Sequence, residues 1–278
     1  MPALCNIEDT MIFSDLALAR RLESTEAYAC AQFAEARRRL FPECGSTWTK
    51  RAGTTLVFDG IDAPTTQSFG LGLHEELAAG DLDEMEEFFK TRGAQVMHEV
   101  CPMAGASTLD LLCARKYRPF EVSSVLFRAV KQPSEGHASN IRIRAVEPED
   151  VPRWRSVSIR GWTHEHPELE PFVQQMGEIC LARERSPCFL AEVDGEVGAA
   201  GVLIIHEGVA LFGGSTSVPE LRRRGLQAAL LDGRMQYAFE QGCDLAMMVA
   251  EAGSSSQRNA ERKGFRVAYT RLKWRLGG

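Results

Sequence analysis

The chain echoes itself. Gly105 and Gly253 stand 148 positions apart, and at that offset Ala104 matches Ala252, Ser107 matches Ser255, Tyr117 falls on Phe265 and Arg118 matches Arg266. Past a one-residue gap, Phe127-Arg128 echoes Trp274-Arg275. Both segments read as strand, glycine-containing loop, helix, aromatic, strand, which is the mark of a tandem repeat. The polar segment KQPSEGHASN, Lys131 to Asn140, carries Pro, Gly and Ser and is the expected linker. It separates residues 1–133 from 141–278, two units of ordinary domain size.

Composition narrows the classes. The net charge of −6 argues against general nucleic-acid binding. No apolar run approaches membrane-spanning length, and the start, MPALCNIEDTMIFSD, has acids where a signal peptide is basic. Eight cysteines are scattered without a C-x-x-C pair or Cys/His ligand spacing. Free thiols in a reducing cytoplasm and no metal site are the expectation. The protein reads as cytoplasmic, monomeric or homodimeric, with neither a nucleic-acid nor a membrane partner.

The second half is the more regular. IRIRAV alternates as a strand, and two helices follow, EPEDVPRWRSVSIRGW and EPFVQQMGEICLARER. CFLAEVDGEVGAAGVLIIHEGVALFGGSTSV reads as three antiparallel strands turned at Asp194-Gly195 and Glu207-Gly208. A helix over 226–241 places Leu226, Leu230, Gly233 and Tyr237 on one face and is capped by Gly242. DLAMMVA reads as a buried strand, SSSQRNAERK as a helix stopped by Gly264, and FRVAYTRLKWRL as a strand or hairpin. In the first half a long helix is expected over Asp9–Leu40, followed by strands at TTLVFDG and TQSFGLGL. A helix DLDEMEEFFKTRG, with Asp81 and Gly93 as caps, then precedes a strand–helix–strand end.

One stretch asks for a ligand. In VPELRRRGLQAAL, three arginines run into a glycine and then into helix formers. A helix N-terminus already carries partial positive charge and free N–H groups, so added cations there call for an anion. N–H groups from Arg223 to Ala228 in one concavity suit a pyrophosphate. Gly225 permits close backbone approach, and the arginines add charge-assisted contacts.

With these elements in this order, residues Ile141 to Leu276 resemble the GNAT superfamily, the acyl-coenzyme A-dependent N-acetyltransferases. The family signature, Q/R-x-x-G-x-G/A, reads here Arg222-Arg223-Arg224-Gly225-Leu226-Gln227; Gln227 departs from it. The resemblance implies an α/β (α+β) fold of two GNAT-like domains, each a mixed, mostly antiparallel sheet flanked by helices. It also implies a bulged strand, VALFGGSTSV, splayed from DLAMMVA, with the pantetheine arm of acetyl-coenzyme A in the gap. Ser215 and Ser217 would face that arm with their backbone, Gly213 and Gly214 mark the bulge, and Arg222 to Ala228 would hold the pyrophosphate. At the same offset of 148 the first half has His74-Glu75-Glu76-Leu77-Ala78-Ala79, with neither glycine nor arginine. That half is expected to be a degenerate domain without cofactor.

The implied reaction is direct transfer of an acetyl group to a small-molecule amine. An alkylammonium of pKa about 10.4 must first lose a proton to a base or through a water relay. The candidates are Glu251, at the end of a buried strand, and His164 or His166 in GWTHEHPE. The family's usual acid, a tyrosine four residues before the Gly-Phe glycine, is replaced by Ala260. Ser256 and Asn259 lie on the same helix and could bond pantetheine or the thiolate; Ser256 could equally cap the helix. The missing tyrosine leaves an alternative, a non-catalytic acyl-coenzyme A-binding regulatory protein.

Overall fold

The computed structural model describes residues 12–132, 140–164, 167–183 and 186–277. In the first half these form α1 (Leu16–Leu40), β1 (Thr47–Arg51), β2 (Thr54–Phe58), β3 (Gln67–Phe69), α2 (Ala79–Lys90), β4 (Met97–Val100), α3 (Ala106–Ala114) and β5 (Tyr117–Ala129). In the second they form β6 (Ile141–Ala145), α4 (Val151–Thr163), α5 (Glu170–Ala182), β7 (Cys188–Val193), β8 (Glu196–His206) and β9 (Val209–Ser217). The chain ends with α6 (Leu226–Glu240), β10 (Leu245–Glu251), α7 (Ser255–Arg262) and β11 (Arg266–Leu276).

The repeat is visible in the elements: α2 and α6, β4 and β10, α3 and α7, and β5 and β11 begin 147 to 149 positions apart. The segment FRVAYTRLKWRL is one strand, not a hairpin. The long first helix begins at Leu16 because Asp15 caps it, its carboxylate accepting from the Leu18 N–H at 2.8 Å; Asp9 lies outside the described residues. Asp81 is not the N-cap of α2. Ala78 holds that position, and Asp81, in the first turn, accepts from the Ala78 N–H at 2.8 Å. Both predicted hairpin turns carry two left-handed residues, Asp194 (φ 53°) with Gly195 (82°) and Glu207 (44°) with Gly208 (78°). That backbone matches the twist of the flanking strands.

All strands join one sheet, mixed and mostly antiparallel, in the order β1-β2-β3-β4-β11-β5-β10-β9-β8-β7-β6. Two separate sheets are the expectation from a repeat; exchange of the last strands makes them continuous. β5, which ends the first half, pairs with β10 from Leu245↔Ala129 to Glu251↔Ser123. β11, which ends the second, enters between β4 and β5. The cores follow the exchange. Leu18 and Leu22 of α1 and Val125 to Phe127 of β5 pack with Trp154, Leu203, Leu230 and Met247 of the second half. Trp274 of β11 packs with Leu56, Leu82, Met85 and Phe89 of the first. Each such buried apolar side chain contributes about 1.5–3 kcal/mol, so each half depends on the other.

Candidate functional site

The site begins where two neighbouring strands part. β9 and β10 run parallel and pair at Val209↔Leu245, Ala210↔Ala246 and Leu211↔Met247. Beyond that, β9 follows β8 as far as Ser217, while β10 follows β5 as far as Glu251. A bulge turns β9 aside: the register with β8 shifts from Val202↔Gly213 to Ala200↔Thr216, leaving Gly214 and Ser215 opposite Gly201 alone. Gly214 has φ +57°, a conformation other residues rarely adopt. An extra residue bends and twists its strand, and the strand has glycine where the bend falls.

Thr216 packs against α4 so tightly that a Cβ on Gly161 would stand 2.2 Å from its hydroxyl. Its neighbours face the other way, as alternation along a strand requires. The Ser217 hydroxyl accepts from the Gln227 side chain at 2.8 Å, and Ser215 accepts from Arg234 at 2.7 Å, both from α6. Arg234 is 1% exposed. It also donates to the carbonyls of Leu230 (3.2 Å), Val202 (3.0 Å) and Gly213 (3.3 Å) and stands over the Phe212 ring. Among the described residues no carboxylate pairs with it, and burial pushes the guanidinium down to about 9.

At the far end of β9 the chain makes a short turn, Pro219–Leu221, and enters α6 through the arginines. A Cβ on Gly198 would lie 2.6 Å from both Leu221 and Leu226, so β8 has a glycine where this turn packs down. Arg223 is left-handed (φ 64°), and Gly225 is the N-cap at φ +83°. A Cβ on Gly225 would meet only Ile141, at 3.4 Å, so its backbone conformation, not crowding, is what asks for glycine. The first helical bond runs from the Ala229 N–H to the Gly225 carbonyl at 3.0 Å. The N–H groups of Leu226, Gln227 and Ala228 therefore have no acceptor within the helix. All three arginines are exposed. Arg224 forms an ion pair with Asp194, and Arg222 donates to the Ser217 carbonyl at 3.4 Å. Arg160 of α4 holds Glu220 at 3.0 Å and fixes the turn from the other face.

The structure thus brings Ser215, Ser217, Arg222, Arg223, Arg224, Gly225, Leu226, Gln227 and Ala228 to one end of β9 and the start of α6. The remaining candidates are dispersed. Glu251 is exposed at the end of β10, opposite Ser123. His164 is exposed directly after α4, and His166 lies outside the described residues. Ser256 and Asn259 are exposed on α7, and Ser254, not Ser256, caps that helix by accepting from the Gln257 N–H at 3.2 Å. No hydrogen bond or ion pair joins Glu251, His164 and Ser256 among the described residues. Ala260 is fully buried. Tyr237 stands edge-on to Phe189, and the Tyr269 hydroxyl donates to Glu23 at 2.8 Å. Sequence reasoning missed Arg234, although its spacing was informative: it continues the stripe of Leu226 and Leu230 at intervals of four, which puts a charge on a buried face.

Residues 150–265 match the sequence model of the acetyltransferase (GNAT) family. Among solved structures, the chain is similar to a GCN5-related N-acetyltransferase from Kribbella flavida, with 16% identity, coverage of 90% of this chain and 96% of that one, and a TM-score of 0.63. It is also similar to a GCN5-related N-acetyltransferase from Sphaerobacter thermophilus (17% identity, 83% and 75% coverage, TM-score 0.55). A tandem GNAT protein from the clavulanic acid biosynthesis pathway gives 11% identity, 81% and 79% coverage and a TM-score of 0.55. No curated protein sequence matches the chain. At these identities the structural likeness shows the fold alone. Residues 150–265 thus match the GNAT acetyltransferase family, within a fold that the whole chain shares with GNAT proteins, tandem ones included.

Proposed function

We propose that this protein transfers an acyl group, acetyl in the first place, from acyl-coenzyme A to the amine of a small molecule. One observation carries the reading: the glycine-capped N-terminus of α6 lies at the open end of β9, where β9 has already left β10. The N–H groups of Leu226 to Ala228 suit the pyrophosphate, and exposed Arg223 adds positive charge beside them. The parted strands β9 and β10 offer unpaired backbone to the pantetheine arm. When bound, the cofactor supplies an acyl group activated as a thioester. Glu251 borders the gap from β10 and is the first candidate to take the proton of the acceptor ammonium, with His164 the second.

The first half lacks both parts of this arrangement. β3 stops at Phe69, while β9 runs six residues past Leu211. The Asp81 carboxylate stands in the first turn of α2, where an anion would have to sit.

A second reading, an acyl-coenzyme A-binding protein without turnover, is favoured by Ala260, whose buried methyl puts no hydroxyl in the slot of the family's acid. Calorimetry with acetyl-coenzyme A, followed by thiol release with an amine panel, separates the two. Binding with amine-dependent release supports the enzyme; binding without release supports the second reading; loss of neither on Gly225→Val in a folded protein refutes the site.

A further inference from the structure

Arg234 is a buried cation without a carboxylate partner among the described residues, and its placement is specific. Its fork spans the bulge on β9. Nη1 donates to Val202 and Gly213, carbonyls on the two strands just before the register breaks, and Nη2 donates to Ser215 within the bulge. Its Nε is anchored one turn back on its own helix, at Leu230. The Phe212 ring packs under the guanidinium at 4.9 Å. The backbone of β8 makes room for it, since a Cβ on Gly201 would stand 3.0 Å from Nη1. A charged, planar fork reaching several acceptors at once fixes their relative positions more tightly than single neutral bonds would.

We propose that Arg234 is the positioning residue of the donor cleft: it clamps the β9 bulge to α6, and so keeps β9 turned away from β10 and its polar groups aimed into the gap. The inference rests on the proposed cofactor reading but concerns a different contact from the phosphate loop. Arg234 lies two turns into α6 and serves the pantetheine end. Because Arg234 donates to the Ser215 oxygen, the Ser215 hydroxyl hydrogen is left to donate to another acceptor.

The test uses the full chain, wild type, Arg234→Met and Gly201→Ala. The second variant keeps the arginine and presses on its fork, at 3.0 Å from Nη1, and on the Leu230 side chain at 3.1 Å. Two ligands are titrated, adenosine 3′,5′-bisphosphate, which lacks the pantetheine arm, and coenzyme A. Amide hydrogen exchange of residues 213–217 is followed without ligand. Arg234→Met should weaken coenzyme A about tenfold or more, leave the nucleotide affinity unchanged and speed exchange across 213–217; Gly201→Ala should do the same to a smaller degree. Equal weakening of both ligands, or unchanged coenzyme A affinity and exchange, would overturn the proposal. If wild type binds neither ligand, the cofactor reading fails, and the exchange pattern alone still decides whether Arg234 holds the bulge.

Discussion

Arg271 of the last strand donates to Glu23 of the first helix at 3.0 Å, and both are almost fully buried. The same guanidinium reaches Glu26 at 2.8 Å, Glu99 at 3.0 Å and Ser123 at 3.3 Å. Four elements from both halves thus meet at one side chain, on the seam where β11 lies beside β5. Replacing Arg271 by Met takes the cation from three carboxylates at once, leaving Glu23 with only the Tyr269 hydroxyl and Glu99 with Lys273. The expected loss is about 3–5 kcal/mol of stability, to be read from urea unfolding; a loss below 1 kcal/mol would show that the seam does not depend on this cation.

The exchanged strands make a second prediction. A fragment of residues 141–278 keeps the loop from Arg222 to Gly225 but loses β5, which pairs with both β10 and β11. Two inner strands become open edges, which recruit other chains. Size-exclusion chromatography and light scattering should show association or failure to fold. A monodisperse, folded fragment would contradict this.

His98 is fully buried, with Nδ1 2.6 Å from the Ser68 hydroxyl and Nε2 3.2 Å from the Tyr117 hydroxyl, which in turn donates to Glu86 at 3.3 Å. Burial pushes its imidazole down to about 4, against an ordinary value of about 6.5. The folded ring stays neutral where the unfolded one is charged. Its stabilising contribution is whole above the unfolded value and is lost as pH falls from there toward the folded one, at about 1.4 kcal/mol per pH unit. Urea unfolding at pH 7 and pH 5 should show this drop, and His98→Gln should flatten it. NMR of the His98 ring should show no protonation at pH 5.5.

Ala260, four residues before Gly264, is fully buried, which bears on placing a tyrosine there. Ala260→Tyr forces a ring into a packed site between α7 and the sheet. It should lower stability by about 1–3 kcal/mol, seen as a drop in thermal midpoint, and should not raise turnover. A variant as stable as wild type would mean the slot opens more readily than its burial implies.

One coenzyme A per chain is the expected stoichiometry in calorimetry. The first turn of α2 is already served by Asp81, so Asp81→Ala should cost about 1 kcal/mol of stability and still give one site. A second equivalent site in either protein would refute the division of labour between the halves.

Much of this was legible locally. Alternation and apolar runs marked β6, β7, β8, β9 and β10, because a strand's side-chain period is written directly in sequence. The turns at Asp194-Gly195 and Glu207-Gly208 were legible because two successive left-handed residues demand such types. The loop from Arg222 to Gly225 declared itself through a charge pattern that an ordinary helix start would avoid, and the offset of 148 announced the repeat. The tertiary structure alone decided what depends on distant neighbours. The sequence could not show that β5 and β11 trade places, since each is an equally good strand for either half; which one fills the gap is settled by packing, Trp274 in one core and Phe127 in the other. Nor could it place Asp15 or Ser254 as caps over nearby rivals, because a cap depends on which N–H groups the chain leaves open. Arg234 was readable as a charge on an apolar stripe. Its role depends on carbonyls from two strands converging above it, and only the folded sheet brings Val202 and Gly213 to the same guanidinium.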